Sequence, residues 1–118
     1  MWGCFMLSID VLKDFGANVD EGLERCLGEE DFYLELIPST LEEGYYKGLE
    51  DAINLKDLHA AFEAAHALKG LLANLALTPI LTPVSEMTEL LRDNQDTDYT
   101  KLLSQMWEQR NRLLKMME

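Results

Sequence analysis

The chain has 118 residues, 47% of them hydrophobic and 27% charged, which suits one globular domain with its own core and excludes a disordered tail. Its formal net charge is −12, with fifteen acids and four bases in residues 1–64 against seven acids and six bases in residues 65–118. That balance excludes a nucleic-acid partner, which needs clustered Lys and Arg, and disfavours an anionic membrane surface.

The opening "MWGCFMLSID" carries no Lys or Arg and its apolar run stops at Asp10, so it lacks the charged head and the length of a signal peptide. Cys4 and Cys26 have no C-x-x-C or Cys/His spacing and read as two reduced thiols of a cytoplasmic protein. Short helices are expected over "IDVLKDFG", stopped by Gly16, and over "VDEGLERCLG", stopped by Gly28. Longer helical segments follow over residues 29–53, 57–77, 79–93 and 97–117, with no period-two alternation that would signal strands. Pro38 removes a backbone donor inside the first of these, which predicts a kink or break near Ile37. Asp57 is placed to cap the second, Thr78-Pro79 to end it and open the third, and Asp96 or Thr97 to cap the fourth. Leu102, Leu103, Met106, Trp107, Leu113 and Leu114 recur at helical spacing in that last segment. The most apolar stretch, residues 71–84, is interrupted by Asn74, Pro79 and Pro83 and does not read as a membrane span. The expected fold is all-α: an antiparallel up-and-down four-helix bundle over residues 29–118, with short additional N-terminal helices over residues 1–28 packing on it, one domain overall.

The segment "DLHAAFEAAHALKGLLANLAL" holds the candidate site. With His66 at zero on a helical wheel of about 100° per residue, Leu68, Leu71, Leu72 and Leu75, with Ala61 and Ala64, fall between roughly 140° and 240°. The core therefore lies behind His66, which faces outward. Around it fall Gly70 at about 40°, Lys69 at about 300°, Phe62 at about 320° and Ala73 at about 340°, with His59 and Leu77 both near 20°. Lys69 is the only Lys or Arg between Lys56 and Arg92, and it stands one turn from His66. Gly70 costs about 1 kcal/mol relative to Ala in a helix interior, which makes sense where something must approach the backbone. A neutral imidazole is a nucleophile near pH 7, and a nearby Lys supplies countercharge to a phosphoryl group held on it.

The run "HALKGLLANLAL" resembles the signature of the histidine phosphotransfer (HPt) family, whose pattern is close to H-x-L-K-G-x-x-x-N-L-G. The resemblance extends over most of residues 30–117. It implies a four-helix bundle with an outward-facing phosphoacceptor, passing phosphoryl groups between receiver-domain aspartates in multistep two-component phosphorelays. Carried across, His66 is the phosphoacceptor, Lys69 the phosphoryl-stabilising cation and Gly70 the small residue that admits the receiver. Phe62, Ala73, Leu77 and His59 make the docking rim. The partners implied are receiver domains of response regulators and of hybrid histidine kinases, with the protein a monomer, no cofactor of its own, and magnesium held by the receiver. Ala76 replaces the Gly common at that place in the family, and Pro38 and Pro83 fall inside helices.

Other readings compete. His59 lies on the same face but has Phe62 and Glu63 at the offsets where His66 has Lys69 and Gly70. "EAAH", residues 63–66, matches the Glu-x-x-His element of di-iron bundles, which need a second such element; Lys56 stands at the corresponding place before His59. A third reading is an HPt-like docking module that is not phosphorylated. An autonomous kinase is excluded, since no Gly-rich phosphate loop is present.

Overall fold

Helix α1 (Ile9–Phe15) ends at Gly16 as its sequence predicts, in the left-handed region at φ 103°, and at its start the Ser8 hydroxyl accepts from the Val11 N–H. The structure, a computed structural model, describes residues 7–118. Expectations resting on residues 1–6, the state of Cys4 among them, lie outside the described residues. Helix α2 (Val19–Arg25) is capped by Asn18, whose side chain accepts from the Glu21 N–H. It ends before Gly28, because Leu27 already turns left-handed at φ 59°. Cys26 is a buried free thiol.

The expected single helix over residues 29–53 is two. Helix α3 (Glu30–Thr40) runs through Pro38, and helix α4 (Glu43–Asn54) starts after a break at Leu41–Glu42. The break thus falls four residues beyond Ile37. Pro38 lies exposed in the last turn, where one lost donor is tolerated. The hydroxyls of Ser39 and Thr40 then take the carbonyls of Leu36 and Ile37 and compete with further helix. The carbonyls left free at the break have partners from elsewhere: Tyr46 Oη donates to the Thr40 oxygen at 2.8 Å, and Arg110 grips the Leu41 oxygen through Nε and Nη2 at 2.9 and 2.7 Å.

Helices α5 (Leu58–Asn74), α6 (Thr78–Arg92) and α7 (Thr100–Met116) follow, so the described residues are all-helical, and α4 to α7 form the four-helix bundle. Asp57 caps α5 as expected, accepting from the Ala60 N–H at 3.1 Å. Helix α6 opens at Thr78-Pro79. Neither Asp96 nor Thr97 caps α7: its N-cap is Tyr99, which makes no side-chain cap bond, and Asp98 just before it accepts from the Thr100 N–H at 2.9 Å. Hydrogen bonding from the Thr100 hydroxyl and N–H holds the Asp98 carboxyl below the ordinary carboxylate value. Asp96 instead pairs with Lys56.

Helix α5 ends at Asn74, three residues earlier than expected. The Leu77 N–H bonds the Leu72 carbonyl and the Ala76 N–H bonds that of Ala73, a Schellman turn with Ala76 left-handed at φ 54°. The place where the family commonly carries Gly is thus a left-handed backbone position, which Ala76 occupies against its preference. Lys56 and Asn94 close α4 and α6 in the same way.

The core runs through Tyr46 and Leu49 of α4, Ala61, Ala65, Leu68 and Leu72 of α5, Val84 and Met87 of α6, and Met106 and Leu113 of α7. At one end the N-terminal helices are tied to the bundle by polar contacts on backbone atoms. Tyr33 Oη donates to the Leu75 carbonyl at 2.8 Å, the Asn18 N–H to that of Ala76 at 2.9 Å, and Arg112 Nη2 to that of Phe15 at 2.7 Å while covering the Phe15 ring. Burial pushes the Tyr33 phenol up to about 12, so it stays protonated and donating through neutral pH. Gly22 lets α2 lie against this tyrosine: a Cβ there would stand 2.6 Å from the hydroxyl and the ring carbon bearing it.

Two stability changes of opposite sign follow. Gly22→Ala lowers the unfolding free energy in urea titrations by about 1–3 kcal/mol, because the hydrogen-bonded Tyr33 ring has to move. Ala76→Gly raises it by about 0.5–1 kcal/mol, because glycine removes the left-handed strain.

Candidate functional site

Helix α5 has two unlike faces, and the second is the candidate site. Ala61, Ala65, Leu68 and Leu72 are buried at helical spacing, while His59, Glu63, His66, Ala67 and Gly70 are exposed. The alanines keep the inner face close to its neighbours, so α4 and α6 flank the helix and leave the His66 side open. No α-helical residue in this run breaks the period of 3.6, so the outward direction of His66 is set locally.

Phe62, one turn before His66, is half-buried and stacks on the imidazole with ring centroids 5.7 Å apart and planes at 17°. Its ring is in turn covered by the Arg92 guanidinium from α6, 5.5 Å from the centroid. Lys69, also half-buried, reaches across to α6, where its Nζ lies 3.4 Å from Glu89 Oε2. Arg92 Nη2 lies 3.3 Å from the same oxygen. Neither Glu89 nor Arg92 was found from the sequence. They lie beyond the motif in the chain, Glu89 twenty residues from Lys69, and come beside it only because α6 packs on α5.

Gly70 is exposed, and a Cβ built on it meets nothing within 4 Å among the described residues. The glycine therefore answers no packing demand of the described chain, in contrast to Gly22. Ala73 is half-buried on the same side. His59 is exposed and pairs with Glu63, Nε2 to Oε1 at 2.6 Å, which engages the carboxylate that the sequence placed near His66. His59 and Phe62 line one wall of a shallow groove whose other wall is Leu91, Arg92 and Asn94 of the α6 end.

Leu77 is a correction. The wheel put it near His66, but the helix stops at Asn74, and beyond the left-handed Ala76 the 100° step no longer applies. Leu77 is fully buried as the residue preceding α6, so it belongs to the core and not to the docking rim. Among the described residues no three His, Cys, Asp or Glu side chains gather into a metal-binding group, and Glu63 of "EAAH" is occupied by His59. Among them, too, no helix is long and apolar enough to cross a membrane.

The site thus presents an imidazole on an open helical surface, with two cations and one carboxylate beside it and a bare backbone patch one turn on. Compared with known proteins, the chain matches the family model of the Hpt domain over residues 42–118. The match begins at the α3–α4 break and covers α4 to α7. Searches of curated proteins and of solved structures returned no match. With the helical bundle and the "HALKG" run on α5, that match over well over half its length makes the chain a member of the Hpt domain family, a histidine phosphotransfer module of a phosphorelay.

Proposed function

We propose that this protein is a cytoplasmic, monomeric phosphocarrier that relays a phosphoryl group between receiver-domain aspartates, with His66 as its phosphoacceptor. The observation that carries the reading is the exposed His66 on α5, with Lys69 one turn away and a Gly70 that nothing of the described chain crowds. The substrate is the acyl phosphate of a receiver aspartate. The lone-pair nitrogen of the neutral imidazole attacks phosphorus, and an N–P bond forms as the acyl O–P bond breaks. The electron pair leaves with the aspartate carboxylate, and the other ring nitrogen keeps its proton. Transfer to a second receiver is the same step reversed.

Catalysis of this kind needs position and charge rather than a pocket. Phe62 holds the imidazole plane by stacking. Lys69 neutralises the oxygens of the transferred group. Gly70 and the half-buried Ala73 keep the approach clear for the receiver, with His59 at the edge of the docking surface. The protein holds no cofactor of its own in this scheme, and the magnesium ion belongs to the receiver's acidic pocket.

The test is incubation of the purified protein with a phosphorylated receiver and magnesium, read as acid-labile, base-stable phosphate. Wild type is expected to be labelled and His66→Gln not at all; a labelled His66→Gln protein sinks the assignment. Absence of label on wild type with several receivers tried favours the docking module that is not phosphorylated. Lys69→Ala is expected to slow transfer about tenfold, the loss of one partly exposed charge-assisted contact, without altering the helical circular dichroism. Gly70 separates stability from docking: Gly70→Ala raises the unfolding free energy by about 0.5–1 kcal/mol through helix propensity, whereas Gly70→Gln weakens receiver binding in titration calorimetry.

A further inference from the structure

The two cations beside His66 share one carboxylate. Glu89 Oε2 lies within 3.4 Å of Lys69 Nζ and 3.3 Å of Arg92 Nη2, bridging α5 and α6. Resting on the phosphoacceptor reading of His66, we propose that Glu89 is a positioning residue for phosphoryl transfer: it is the counter-ion that the incoming phosphoryl group displaces from Lys69, and it thereby keeps the phosphorylated form labile.

The argument is one of competing anions. In the free protein Lys69 is engaged by Glu89. Once a phosphoryl group stands on His66, one turn away, the same ammonium faces two anions, and the carboxylate and the phosphoryl oxygens repel each other. Glu89 has somewhere to go, because Arg92, three residues along its own helix, already holds it. Lys69 can turn to the phosphoryl oxygens while Glu89 stays with Arg92. No bond to Glu89 forms or breaks; the covalent step remains the exchange of acyl O–P for N–P described above.

The strength of the contact suits this role. The side chains of Glu89 and Lys69 are 58% and 32% exposed, and pairs of that kind are weak enough to be displaced. A buried pair would lock Lys69 away; no pair at all would leave the full cation to the phosphoryl group and make the carrier slow to discharge. Glu63 does not duplicate the effect, since among the described residues its carboxylate pairs with His59 and not with Lys69.

The experiment measures the phosphoryl equilibrium between a purified receiver and this protein for wild type, Glu89→Gln, Lys69→Ala and the double variant. Glu89→Gln is expected to shift the equilibrium constant toward phospho-His66 by about two- to fivefold. In the Lys69→Ala background the same change is expected to have almost no effect, because the cation it acts through is gone. A second readout needs no phosphate: the NMR chemical shift of the Lys69 side-chain nitrogen is expected to move in Glu89→Gln, as the ion partner 3.4 Å away is lost. A labelled wild type whose equilibrium constant is unmoved, or moved toward the receiver, in Glu89→Gln overturns this inference alone. An unmoved Lys69 resonance overturns it too, by showing that the ion pair is not made. Absence of label on wild type overturns the phosphoacceptor reading and this inference with it.

Discussion

The turn from Leu75 to Leu77 is the joint on which the arrangement of the two halves depends. When α5 ends there, its last carbonyls turn away from the helix and need donors. Those of Leu72 and Ala73 are taken within the turn, but those of Leu75 and Ala76 are taken by Tyr33 Oη and the Asn18 N–H. The end of the helix that carries His66 is thus satisfied by residues forty or more positions earlier in the chain. Conversely, the short helices α1 to α3 have little surface to bury on their own and gain their places by donating to the bundle's open carbonyls of Leu75 and Ala76, and by offering those of Phe15 and Leu41 to Arg112 and Arg110 of α7.

The same economy holds at the α3–α4 break. A helix continued through Leu41 would have used its own carbonyls; the interrupted one leaves those of Thr40 and Leu41 open, and Tyr46 and Arg110 of the bundle donate to them. Arg110 also lies over both Tyr46 and Trp107, and Trp107 Nε1 donates to Glu50, so α4 and α7 are joined at the same point that α3 turns away. That the family match begins at residue 42 coincides with this change of direction.

For the functional surface, burial and chemistry divide α5 between them. Small alanines on its inner side allow close packing without bulky layers, and the outer side leaves His66 and Gly70 exposed. The charges beside His66 are few and mutually engaged, in a chain of net charge −12. The His66 face thus carries a small, balanced set of charges rather than a strongly positive pocket.

Local periodicity determined the helical class, the order of the segments and the outward direction of His66, because each depends on residues within a turn or two of one another. It also found Lys69 and Gly70, which share the helix with His66. Helix ends were less legible. Lys56, Ala76 and Asn94 stop their helices in a left-handed conformation that glycine usually signals, and a break between Leu41 and Glu42 needs Arg110, sixty-nine residues on, to complete it. Leu77 was misplaced for that reason: its position depended on where α5 stopped, which Tyr33 and Asn18 help decide. Glu89 and Arg92 were invisible for a second reason, since only the packing of α6 on α5 brings them to Lys69 and Phe62, which flank His66. What is set within one helix could be read from the sequence; what is set by a partner brought from elsewhere in the chain was decided by the tertiary fold, because an ion pair or a capped carbonyl carries no periodic signal.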